Sequence, residues 1–205
     1  MRVLLRTCGE LSVTCGLVML LFCGYLLWGT GGYTEWYQQQ VKRHLHDAAG
    51  SGRSGGLRRV HLGDAVALLR IPRLGRDYEY AVLEGVTPQD LRRGPGHYPG
   101  TALPGRRGNF VVSGHRTTYG APFNRIDELR RGDALVVDTE DARYTYRVTG
   151  TEIVSPAEVD VIAPVPGRPD RPPDRAMITL TTCHPEYSAR QRLIVHGVLA
   201  GTTRR

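Results

Sequence analysis

Apolar and polar positions fall into three successive patterns along this chain. The first is nearly unbroken: residues 11–28 (LSVTCGLVMLLFCGYLLW) are apolar or small, and no charge occurs between Glu10 and Glu35. At ~1.5 Å per helical residue, ~20 residues cross the ~30 Å hydrocarbon core of a bilayer. A flank of Trp28, Tyr33, Trp36 and Tyr37 resembles an interfacial aromatic belt. Residues 11–30 therefore read as a retained transmembrane anchor behind a short cytoplasmic tail, residues 1–10. The alternative is a cleaved secretory signal, with Arg2 and Arg6 as its basic region and small residues at 29–32, although no clear A-x-A site follows. Cys23 is not a lipoprotein acceptor, because bulky Leu21 and Phe22 precede it. Arg2 and Arg6 are balanced by Lys42 and Arg43, so charge hardly sets the orientation. A short tail before a first apolar run usually stays inside, which puts the rest of the chain outside the cell.

The second pattern is polar and small. Residues 48–56 (AAGSGRSGG) have linker composition. Residues 31–60 are thus expected to be a juxtamembrane stretch and flexible linker, with a domain at 61–205 that folds without them. In that domain the pattern changes to strand-length β-branched runs between turn signals, at 65–71, 80–84, 110–113, 134–138, 142–149, 177–182 and 192–199. This spacing suits a barrel or sandwich better than βαβ units. Short helices are expected at 87–93, opened by Thr87 and Pro88, and at 123–130. Residues 163–175 (APVPGRPDRPPDR) carry too many prolines for a central strand or regular helix. They form either a substrate cover or a passive connector.

Composition narrows the function classes. A chain of 205 residues holds one ordinary domain plus an appendage, and 40% hydrophobic with 23% charged residues is neither disordered nor polytopic. The net charge of +7 is carried by arginine, Lys42 being the only lysine, alongside 25 Gly and 13 Pro. That bias fits a GC-rich genome, and no RNA motif or recognition helix accompanies it, so no nucleic-acid partner is expected. The glycines at 94–100 lack the context of a phosphate loop. His44, His46 and the isolated pair Cys183-His184 lack ligand spacing, so no metal or cofactor is expected. Of four cysteines, Cys8, Cys15 and Cys23 belong to the tail and membrane segment, which leaves Cys183 alone in the domain.

An unpaired thiol in an exported domain needs a reason. A buried core thiol is the plain one. Cys183, however, ends the strand MITLTT beside the turn residues His184-Pro185, where a side chain reaches substrate. A thiol nucleophile needs a base or cation, and its acyl intermediate needs oxyanion stabilisation. The candidate bases are His97, His115, His184 and His196; His115 also follows a strand, in NFVVSGHR. Arg192 opens the last strand and Arg190 competes with it for the electrostatic role.

These residues resemble a known family. TLTTC at 179–183, followed by Arg192 before LIVHG, with SGHR at 113–116 upstream, is similar to the sortases, cysteine transpeptidases of Gram-positive cell walls. GPGHYPGTALPG at 94–105, GHRTTYGAPF at 114–123 and TTCHPEYSARQRLIVHG at 181–197 look most like the class E sortases of high-GC bacteria.

The resemblance implies a mostly β fold, a closed eight-stranded barrel with short helices behind an N-terminal transmembrane helix. It implies that Cys183 attacks the Thr–Gly carbonyl of a C-terminal sorting signal on surface proteins, that His115 protonates the departing amine, and that Arg192 holds the carbonyl or oxyanion, with Thr182 shaping that site. The acceptor would be an amine of the lipid-linked peptidoglycan precursor, or water in a slow hydrolysis. Class E similarity implies an L-A-x-T-G motif in place of L-P-x-T-G, with Tyr98 contributing to the preference and Tyr119 as the other candidate. Calcium-stimulated sortases carry carboxylates before the histidine strand; residues 98–108 here have Arg106 and Arg107 and no acid, which predicts calcium independence. The competing readings are a pilin-polymerising sortase, an L,D-transpeptidase or papain-like peptidase, whose motif or Cys–His order differs, and a non-catalytic wall-binding module.

Overall fold

A computed structural model of the chain describes residues 2–25, 29–50 and 65–204. Helix α1 (Arg2–Gly24) contains the span Arg6–Gly24, the one described helix long and apolar enough to cross a membrane, with none of that window buried against the protein. It starts inside the expected tail. Helix α2 (Thr30–Gly50) takes up the whole juxtamembrane stretch and runs through residues 48–50 of the expected linker. Residues 51–64, which hold the rest of the linker, lie outside the described residues.

The domain is a closed barrel of β1 (Ala65–Arg70), β2 (Glu79–Glu84), β3 (Gly96–His97), β4 (Gly108–Ser113), β5 (Ala134–Asp138), β6 (Ala142–Val154), β7 (Ala176–His184) and β8 (Gln191–Arg204). Neighbours run in the order β1-β2-β3-β4-β7-β8-β6-β5, with β5 closing on β1. Closure gives every strand a neighbour on both sides, although the two-residue β3 covers only the end of β2. The pairs β2/β3 and β4/β7 are parallel and the others antiparallel. The expected strands are all present. The short β3 is additional, joining β2 to β4 through two residues with no pattern of their own.

Alternation sets the core. Phe110 and Val112 on β4, Ile178 and Leu180 on β7, and Leu193 and Val195 on β8 pack inside with Leu69, Val82, Leu135 and Tyr146. Tyr146 is fully buried, its hydroxyl accepts the Gly105 N–H at 2.7 Å, and burial pushes its pKa up to about 12. Helix α3 (Pro88–Leu91) is opened by a capping box in which Thr87 and Asp90 satisfy each other's backbone N–H groups, as expected of Thr87 and Pro88. The second expected helix shrinks to a 3-10 turn, Ile126–Glu128. Phe123, Ile126 and Leu129 are all buried, a three-residue spacing that suits a 3-10 turn, and the Phe123 N–H goes back to the His115 carbonyl at 3.0 Å.

Helix α2 is packed on the barrel, contrary to the expectation of a detached stretch. Thr34, Tyr37, Gln38 and Val41 form its buried face and meet Leu68, Ala81 and Leu83. Because β3 is short and pairs only with Leu83 and Glu84, the β3 side of β2 at Ala81 has no strand partner. The Gln38 carboxamide takes that place: its Oε1 accepts the Ala81 N–H at 2.8 Å and its Nε2 donates to the Ala81 carbonyl at 3.0 Å. Nε2 also donates to the Arg93 carbonyl at 2.9 Å, and Thr34 Oγ1 donates to that of Arg92 at 2.7 Å.

Candidate active site

The site is built where β4 and β7 end side by side. Their parallel register sets Ser113 opposite Thr181, so the chain two residues further on brings His115 and Cys183 out at the same rim. The antiparallel register of β7 with β8 sets Cys183 directly opposite Arg192. The three residues from separate parts of the sequence are thereby gathered. On β7 the inward positions are Ile178, Leu180 and Thr182, and Cys183 falls on the other face with Thr179 and Thr181. Gly114 precedes the histidine because a Cβ there would lie 2.7 Å from the Phe123 ring.

His115 is partly buried, and its Nε2 is shielded from solvent with no hydrogen-bond partner among the described residues. Burial lowers its pKa below the ordinary 6.5, and the nearby Arg92 guanidinium lowers it further. The ring is therefore neutral at rest, with an unclaimed nitrogen. Tyr119 packs against it at 4.9 Å between ring centroids, and Arg92 lies over the Tyr119 ring at 5.6 Å. Tyr119 (φ 51°) and Ala121 (φ 43°) both adopt left-handed backbone. Such conformations cost on the order of 1–2 kcal/mol each and concentrate at functional sites. The loop is held in them from outside: Tyr78 donates to the Pro122 carbonyl and Tyr80 to that of Gly120 at 3.3 Å.

The other histidines are engaged elsewhere. His97 is buried between Glu84 at 2.6 Å and Thr101 at 2.9 Å. His196 contacts Glu152 at 2.8 Å and Thr179 at 3.0 Å. Thr179 passes this chain to Asn109, whose amide donates to the Val161 and Ala163 carbonyls, fixing the start of the Pro-rich segment to the outer face of the barrel. A cavity of about 470 Å³ separates Val165–Gly167 from Met177 and Val198. This segment therefore lies several residues up β7 from Cys183 and does not cover the thiol. His184 neighbours the Arg116 guanidinium at 3.5 Å.

Arg192 donates through Nη1 to the carbonyls of Ala189 and Gln191, at 2.9 and 3.0 Å. It has no carboxylate partner among the described residues, which leaves Nε and Nη2 for a substrate oxygen. Arg190 is exposed. Thr182 does not shape the substrate surface through its side chain: it is 2% exposed and its hydroxyl donates to the Gly114 carbonyl at 2.8 Å. It ties the strand of Cys183 to the turn of His115. Tyr98 is not with the other residues; its N–H bonds Val111 on β4, four residues before His115. Of the two tyrosines, only Tyr119 is at the rim.

Two residues were passed over in the sequence. Arg116, next to His115, has a side chain only 4% exposed that pairs with Asp127 at 3.1 Å and lies 3.9 Å from Glu186, joining the histidine loop to the β7–β8 connection. Its signal was a cation adjoining a candidate base. Arg92 ends a short helix and has no local signal.

Residues 69–200 match the family model of the sortase domain. The chain belongs to the sortase family. Among curated proteins it is 38% identical to sortase SrtE1 of Streptomyces coelicolor over 94% of this chain and 32% identical to SrtE2 of the same organism over 95%. It spans 56% of the length of SrtE1 and 81% of that of SrtE2. Among solved structures, sortase E of Streptomyces avermitilis superposes with a TM-score of 0.62 at 41% identity, covering 68% of this chain and 90% of that one. Sortase E1 of S. coelicolor, crystallised with a tripeptide in its active site, gives 0.62 at 38% over 69% and 91%. The class E likeness and the eight-stranded barrel expected of the sequence both stand, and sortases as a family are cysteine transpeptidases.

Proposed function

We propose that this sortase is a membrane-anchored transpeptidase that cleaves the Thr–Gly bond of an L-A-x-T-G or L-P-x-T-G sorting signal and passes the acyl group to an amine of a lipid-linked wall precursor. The observation that carries the reading is the register that sets Cys183 against Arg192 on one side and the His115 turn on the other. The tripeptide bound by sortase E1 supports a peptide substrate.

In this mechanism neutral His115 takes the proton of the Cys183 thiol as Sγ attacks the threonine carbonyl carbon. The charge that develops on oxygen meets the unused N–H groups of Arg192. As the C–N bond breaks, the His115 imidazolium gives its proton to the leaving glycine nitrogen. The acceptor amine then attacks the thioester while His115 takes up its proton, and the thiol is restored. A lowered histidine pKa suits the first step, since it keeps the base unprotonated. An extended substrate covers ~3.3 Å per residue, and one that runs back along β4 from Cys183 would bring the residue three or four positions before the scissile bond near Tyr98. This supports Tyr98 as a reader of the L-A or L-P position. Helix α1 serves as the anchor, with the barrel outside the cell.

The full chain should cleave a fluorogenic L-A-x-T-G peptide faster than its L-P-x-T-G counterpart, and Cys183→Ala, His115→Ala and Arg192→Ala should each abolish turnover. Full activity in His115→Ala would remove the acid–base role assigned here.

A further inference from the structure

A second site adjoins this one. Between the end of α1, the start of α2 and the barrel lies a cavity of about 480 Å³, bounded by Tyr25 and Tyr33 on the helices and by Arg92, Arg93 and Tyr119 on the domain. Among the described residues no acidic side chain lines it. Neither arginine has a carboxylate partner among the described residues. Each instead has its guanidinium carbon over an aromatic ring, Arg92 at 5.6 Å from the centre of Tyr119 and Arg93 at 5.5 Å from that of Tyr37. A cation–π contact is an attraction of the charge to the ring face, and it leaves guanidinium N–H groups to meet an oxygen. The backbone carrying both is fixed by α2, since Thr34 holds the Arg92 carbonyl and Gln38 that of Arg93. Two fixed, unneutralised guanidinium groups in a cavity form a receptor for a tetrahedral oxyanion.

Its position identifies the kind of oxyanion. Tyr25 directly follows the apolar span that ends at Gly24. Tyr25 and Tyr33 are 63% and 51% exposed, the amphipathic side chains that settle at headgroup level. We propose that Arg92 and Arg93 bind the phosphate of a membrane lipid, either a bilayer phospholipid headgroup or the diphosphate of a polyprenyl-linked acceptor. This rests on the anchoring and acceptor given under Proposed function. Because Arg92 lies over Tyr119, which packs on His115, a lipid-linked acceptor seated there would have its headgroup beside the catalytic rim.

The test uses the full chain in phosphatidylcholine nanodiscs doped with a minor fraction of phosphatidylglycerol, of undecaprenyl diphosphate, or of undecaprenol, with retained lipid counted by native mass spectrometry. Retention of a phosphate lipid and not of undecaprenol is expected. Arg92→Gln and Arg93→Gln should each weaken retention roughly tenfold, as for one lost charge-assisted contact, and Arg92→Lys should recover part. Retention of phosphatidylglycerol assigns the site to the bilayer, and of the diphosphate alone to the acceptor. Undiminished retention in the Arg92→Gln/Arg93→Gln protein, or equal retention of undecaprenol, overturns the proposal. Wild-type protein that enters discs and cleaves sorting peptide but retains no phosphate lipid refutes this site only; a chain that does not enter discs removes the anchor and the site together.

Discussion

Replacing Gln38 by Met keeps the length and bulk of the side chain and removes three hydrogen bonds, to the Ala81 N–H, the Ala81 carbonyl and the Arg93 carbonyl. Ala81 is 0% exposed, so its two backbone groups are left dry. A buried group without a partner costs about 1–3 kcal/mol, and a hydrogen bond whose partner can rehydrate contributes about 1 kcal/mol or less. The loss is therefore about 2–7 kcal/mol, centred near 4 kcal/mol. At about 2–4 °C per kcal/mol for a protein of this size, the melting temperature of the full chain should fall by roughly 10 °C. Differential scanning calorimetry in detergent micelles measures this, and Gln38→Glu should do at least as much damage by placing a carboxylate against the Ala81 carbonyl. Gln38→Met unfolding together with the wild type would mean that the carboxamide does not stand in for a strand, and that the domain folds without α2 after all.

Three further outcomes are expected. The His115 titration followed by NMR should have its midpoint below 6.5, and Arg92→Gln should move it upward, because one of the two causes of the lowering is removed; an unmoved midpoint refutes that cause. A histidine with a lowered folded pKa stabilises the fold fully above 6.5 and loses that contribution as pH falls through the folded value, so urea stability should decline on that acid limb less steeply in His115→Gln. Arg116→Leu should cost about 1–3 kcal/mol, under the range for a fully buried pair because half-exposed Asp127 and Glu186 rehydrate, and should lower kcat more than it raises KM. Peptide cleavage should be unchanged by chelator, since residues 98–108 offer no carboxylate to a hard cation; stimulation by calcium refutes it.

What could be read from the sequence was whatever is written in a local period. The strands of the barrel alternate every two residues, so Phe110, Val112, Ile178 and Leu180 announce their inward face. The placing of Cys183, His115 and Arg192 at strand ends could be read for the same reason. What escaped depends on partners distant in sequence. The strand β3 exists only because β2 and β4 flank it. The docked face of α2 keeps helical spacing at 34, 37, 38 and 41, but two of its four residues are Thr34 and Gln38, which a hydrophobic pattern passes over. Their value lies in the backbone groups they satisfy on β2 and after α3. Thr182 escaped for a related reason: a hydroxyl beside a nucleophile suggests contact with substrate, whereas here it closes a bond between two neighbouring strand ends.

The docking of α2 also bears on how far the enzyme can reach. A flexible linker would let the thiol wander over a radius that grows as roughly 5–6 Å times the square root of its length. A helix locked to the barrel allows no such slack. Gly31 and Thr34 in its first turns lie against Gly120 in the histidine loop, so with α1 in the bilayer, as proposed above, the rim carrying His115 and Cys183 would be held at one height, close to headgroup level. On the proposed function, substrates would then have to bring their motif to that height. The stretch between a surface protein's sorting signal and its own membrane segment becomes a length to be matched, and a signal moved nearer or further along that stretch would pass beneath or above the thiol.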